Sequence, residues 1–79
     1  MQEQKYDDKL IREVINNTPS SKLSEVIDEY IHNARNKDIS RRKILDDEVY
    51  RLIALDYDLT IRQCKSIVRK TRRIIYEHL

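Results

Sequence analysis

The sequence predicts an all-α fold, a small bundle of about four helices. Three observations predict it. Apolar residues recur at helical spacing in four separate stretches, each stretch has a recognisable start or stop signal, and strand-type alternation appears nowhere. At 79 residues the chain makes a single domain, residues 1–79, with no repeat, low-complexity tract or interdomain linker.

The first helix is expected from Glu3 or Tyr6 to Asn16, with Tyr6, Leu10, Ile11, Val14 and Ile15 on one stripe. Asp7 and Asp8 suit its N-terminal dipole, and Asn16-Asn17-Thr18-Pro19 stops it because proline disfavours helix in the residue before it. The second helix starts at Thr18 with Pro19 in its first turn, or at Ser20 or Ser21. Its stripe is Leu23, Val26, Ile27, Tyr30, Ile31 and Ala34, its outer face carries Glu25, Asp28 and Glu29, and the polar link from Asn33 to Asp38 closes it.

Ser40 is the natural cap for a third helix reaching Tyr57. Ile44, Leu45, Val49, Leu52, Ile53 and Leu55 spread round a wide arc, which marks this helix as the centre of the bundle. The fourth helix has the clearest start. Thr60 and Gln63 form a capping box, Leu59 and Cys64 a hydrophobic staple, and Asp56-Tyr57-Asp58 the turn before it. The expected spans are 4–16, 20–35, 40–57 and 60–77. The expected core is Leu23, Ile27, Tyr30, Ile31, Leu45, Val49, Leu52, Ile53, Ile61, Cys64, Val68 and Ile75.

Composition excludes several chemistries. With Gly 0, the P-loop, the dinucleotide fingerprint, EF-hand loops and nucleophile elbows are all ruled out. One cysteine excludes an internal disulfide and fits a reducing, cytoplasmic setting. The polar, acidic stretch Met1 to Asp8 does not have the pattern of a signal peptide, so none is expected, and no apolar run approaches the roughly 18 residues of a membrane span. Many Ile, Asn, Asp and Tyr with no Phe or Trp is the bias of an A+T-rich genome, such as those of many phages and plasmids.

Charge carries the functional signal. Residues 1–39 hold six cations against eight anions, and residues 40–79 hold ten against six. From Leu59 to Tyr76 the chain has Arg62, Lys65, Arg69, Lys70, Arg72 and Arg73 and no acid, opposite an apolar arc of Ile61, Cys64, Ile67, Val68, Ile74 and Ile75. A two-faced basic helix after a tight turn has the outline of a helix-turn-helix, and it implies a DNA partner. Arg62, Gln63, Ser66 and Arg69 would then meet base edges, and Lys65, Lys70, Arg72, Arg73 and Tyr76 phosphates. The small residue expected early in the first helix of such a unit, and the glycine usual in its turn, are both missing.

Other readings compete with this one. The cations can simply solvate an exposed helix. The acidic face of the second helix and the basic face of the last can steer protein partners, as in a non-enzymatic adaptor or inhibitor. A homodimer is expected either way, because so short a chain has a marginal core. The apolar arc lacks Trp, Phe and, before Leu79, Leu, and it is needed for the core, so no membrane partner is expected. No enzyme, cofactor or metal is expected. His32 and His78 lie on different helices without ligand spacing, Cys64 reads as a packed small hydrophobe, and Asp46-Asp47-Glu48 read as first-turn partners of a helix dipole.

Overall fold

Asp7 opens the first helix: its carboxylate accepts from the backbone N–H of Lys9 at 3.1 Å and of Leu10 at 3.3 Å. The computed structural model describes residues 6–79, so the alternative start at Glu3 and the Met1 to Lys5 stretch lie outside it. Five helices follow in order: α1 Asp8–Asn16, α2 Ser20–Tyr30, α3 Ala34–Ile44, α4 Tyr50–Tyr57 and α5 Ile61–Glu77, with no strand among the described residues. The all-α bundle expected from the sequence is what forms, with one helix more.

The additional helix comes from a break in the expected third one. Instead of one helix over 40–57 there are two, and the polar link 33–38 is the first turn of α3. Asn33 caps it, its Oδ1 accepting from Asn36 N at 3.0 Å. Arg41, Arg42 and Lys43 occupy the last turn of α3, where cations complement the carbonyl end of the dipole. The helix does not run on through the acids that follow, Asp46, Asp47 and Glu48. The chain turns instead, with Asp47 at φ 53 and its N–H on Lys43 O at 3.1 Å, a left-handed helix stop. Arg42 fastens the turn through Glu48 at 2.9 and 3.0 Å and reaches Asp56 of α4 at 2.7 Å. The second helix also ends early, at Tyr30, because Ile31 is already extended.

The central helix is α5, not the third. It packs against α1, α2, α3 and α4. Its C-terminal half closes one apolar cluster through Ile75, with Ile11, Ile15, Leu23, Val26, Ile27 and Ile31. Its N-terminal half closes a second through Cys64 and Val68, with Ile39, Ile53 and Ala54. Ile44 touches both. Ser40 is therefore no cap: it lies inside α3, fully buried, hydrogen-bonded to Thr71 at 2.7 Å.

Four expected core residues lie at the surface instead. Tyr30 stacks on His78, with ring centroids 3.6 Å apart, rather than entering the core. Val49, Leu52 and Ile61 are 52%, 48% and 42% exposed, and Leu45 is only half-buried. The wide apolar arc of the expected third helix had two causes. Part belongs to the core, through Ile44 and Ile53, and part faces outward from α4.

Candidate nucleic-acid interface

The turn between α4 and α5 is closed by backbone geometry. Asp58 adopts φ 53 and ψ 42, the left-handed conformation that glycine usually supplies at a helix end. Leu59 N donates to Ala54 O at 2.9 Å and Asp58 N to Leu55 O at 3.4 Å, the two bonds of a Schellman stop. Asp tolerates this conformation better than most non-glycine residues. Ala54, 5% exposed against the α5 cluster, is the fifth of the eight residues of α4.

Thr60 then starts α5 with the expected capping box: Gln63 N donates to Thr60 Oγ1 at 3.0 Å, and Thr60 N to Gln63 Oε1 at 2.8 Å. Gln63 thus has its carbonyl engaged in the cap, leaving only its amide N–H groups to face outward.

All nine residues singled out from the sequence lie on α5, and they divide by environment. Arg62, Gln63, Lys65, Ser66, Arg69, Lys70 and Tyr76 are exposed, and Arg72 and Arg73 are half-buried. The side chains of Arg62, Lys70 and Arg72 engage no hydrogen bond or ion pair among the described residues. Lys65 Nζ stands 5.8 Å from the ring of Tyr50. Arg69 and Arg73 are drawn toward α1. Asp8 lies 3.7 Å from Arg69 Nε and 3.3 Å from Arg73 Nε, and the Arg73 guanidinium covers the Tyr6 ring at 5.0 Å. Tyr6 also donates to Glu77. The basic face is therefore continuous at its N-terminal end and partly neutralised toward its C-terminal end.

Sequence reasoning missed the neighbours that shape this face. Arg12, Tyr50, Lys65, Arg69, Arg72, Asp8 and Ile11 enclose a concavity of about 230 Å³ between α1 and α5. The available signal was the i, i+4 pair Asp8 and Arg12, which share one side of α1.

The remaining reactive residues have structural explanations. Cys64 is fully buried, and loss of solvation pushes its thiol up, away from the range of a reactive thiolate. His32 is exposed, and His78 is taken by the Tyr30 stack. Asp46, Asp47 and Glu48 precede α4 but serve the α3 stop, and no group of three or more His, Cys, Asp or Glu among the described residues could hold a metal ion. No helix among them is long and apolar enough to cross a membrane. The acidic face of α2 is partly spent internally: Arg41 donates to Asp28 Oδ1 at 2.9 Å and Lys37 to its carbonyl at 3.3 Å.

In comparisons with known proteins, no family model, curated protein or solved structure matches this chain significantly.

Proposed function

We propose that the chain is a small DNA-binding regulatory protein, with α4 and α5 as its helix-turn-helix and α5 as the recognition helix. One observation carries this reading: the Schellman turn at Asp58 joins a short helix to an exposed, acid-free basic helix start. In this reading Arg62 and Ser66 meet base edges and Gln63 contributes its amide N–H. Lys65, Lys70, Arg72, Arg73 and Tyr76 meet phosphates, and so does Arg69, which is drawn toward Asp8 and away from the base-reading strip. The A+T-type composition fits a phage or plasmid source, and the reading places the protein in the cytoplasm with DNA.

A titration of random duplex at low and moderate salt tests it. Affinity is expected to fall with salt, each neutralised phosphate adding about −0.9 to the logarithmic slope. Arg62→Glu should weaken binding about tenfold or more without affecting folding, since Arg62 is exposed and unpaired. Arg69→Glu is a poorer probe because it would set a second carboxylate beside Asp8. Absence of wild-type binding at low salt removes the reading.

The alternative, a protein-binding adaptor or inhibitor acting through its charged helix faces, has less support, because the acidic face of α2 is partly engaged by Arg41 and Lys37. An apolar surface bears on assembly instead. Leu52, Ala54, Leu55, Leu59 and Ile61 line an apolar concavity of about 380 Å³ edged by Arg51, with Leu55 76% exposed. We assign this surface to a second copy of the chain. Leu52, Leu55 and Ile61 are exposed there, and a twofold pairing covers both patches at once. Two small cores sharing one helix are the kind of fold that gains from that burial.

A further inference from the structure

The cleft between α1 and α5 holds an imbalance of charge. Arg12 enters from α1, and Lys65, Arg69 and Arg72 enter from one side of α5 at successive turns. The single anion lining it is Asp8. Ile11, which is 1% exposed, and Tyr50 complete the lining. Four cations brought together beside the protein body repel one another more than they would in open water. One carboxylate leaves most of that repulsion standing.

Asp8 is also held loosely. Its contacts to Arg69 and Arg73 are 3.3 to 3.7 Å, and its side chain is 45% exposed. A charge-assisted bond that is fully made is about 2.7–2.9 Å long. Elsewhere this chain makes such bonds: Arg42 reaches Glu48 at 2.9 Å and Asp56 at 2.7 Å. The difference separates a structural ion pair from a carboxylate resting among cations in excess. A half-exposed contact of that length contributes little, so another anion can displace it.

We infer that the α1–α5 cleft is a phosphate-binding site in which Arg12, Lys65, Arg69 and Arg72 supply the donors and Asp8 is a built-in competitor. Phosphate is the anion that matches. It carries more charge and more acceptor oxygens than a carboxylate, and three guanidinium forks can each present paired N–H groups to it. Arg12 becomes a binding residue although it lies outside α5. Asp8 becomes a brake, because the phosphate must take the place it occupies.

The phosphate can belong to a duplex backbone or to a small phosphorylated molecule. The first source rests on the DNA reading above, and the second does not. Calorimetric titration with pyrophosphate and anisotropy titration with random duplex, both at low salt, distinguish them for wild type, Arg12→Ala and Asp8→Asn. Expected is a roughly three- to tenfold weakening in Arg12→Ala and a tightening of similar size in Asp8→Asn, with the helical signal unchanged. That pattern with duplex alone assigns the site to backbone phosphate. The same pattern with pyrophosphate and no duplex binding keeps the site and overturns the DNA reading. Duplex binding that neither variant alters overturns this inference and leaves the DNA reading intact. Binding of neither probe by wild type overturns both. Should Asp8→Asn loosen α1, Arg12→Ala decides alone, since Arg12 is exposed and engages no hydrogen bond or ion pair among the described residues.

Discussion

Ser40 Oγ and Thr71 Oγ1 lie 2.7 Å apart, both fully or nearly fully buried, where α3 meets α5. No described buried side-chain N or O lacks a hydrogen-bond partner, and this pair satisfies itself. Removing one hydroxyl leaves the other desolvated with no partner, a cost of about 1–3 kcal/mol. Removing both should be nearly neutral by comparison. Thermal unfolding of Ser40→Ala, Thr71→Val and the double variant is expected to show strong non-additivity, with the double variant no less stable than the worse single one. Additive losses would mean that the hydroxyls act independently.

Acid should loosen the α3–α4 junction. The Arg42 guanidinium holds the Glu48 carboxyl below its usual range by hydrogen bonding, so Glu48 binds fewer protons when folded than when unfolded. Its contribution is complete above the ordinary glutamate range and fades as pH falls through the lowered folded value. Urea midpoints of wild type and Glu48→Gln are expected to differ at neutral pH and to converge in acid. A gap that persists unchanged in acid would assign the difference to something other than this ionisation.

The turn before α5 can be tested by conformation alone. Asp58 has φ 53, so Asp58→Gly should leave stability unchanged or raise it by up to about 1 kcal/mol. Asp58→Val should cost about 1–2 kcal/mol or more, because a β-branched residue is poorly accommodated there. Equal stability of the three proteins, measured by denaturant midpoint, would contradict the left-handed assignment.

Self-association should depend on the outer face of α4. Leu55 is 76% exposed, so Leu55→Asp removes apolar contact area without disturbing the core of one copy. Light scattering is expected to give a dimer for wild type at micromolar concentration and a 9.6 kDa monomer for the variant. A wild type that remains monomeric at high concentration leaves the patch to a heterologous partner and favours the adaptor reading.

What the sequence determined by itself is local. The start of α5 was legible because a capping box satisfies its own backbone within four residues, from Thr60 to Gln63. The stop of α1 was legible because proline acts on the residue beside it. Buried positions such as Leu23, Ile27, Cys64, Val68 and Ile75 followed from periodicity. The basic strip of α5 needed only the helical repeat.

Only the tertiary structure decided the rest. Periodicity reports how apolar residues lie around an axis and does not say whether the axis is continuous, so two short helices read as one from Ser40 to Tyr57. The cations Arg41 to Lys43 suit the end of α3, but the same run is equally compatible with the interior of a longer helix. Ser40 became a core residue because Thr71, 31 positions away, meets it. The cleft joining Asp8 and Arg12 to Lys65, Arg69 and Arg72 exists because α1 folds back onto α5. A charge on one helix is distributed by its own sequence, but what it faces is set by whatever packing brings across the chain.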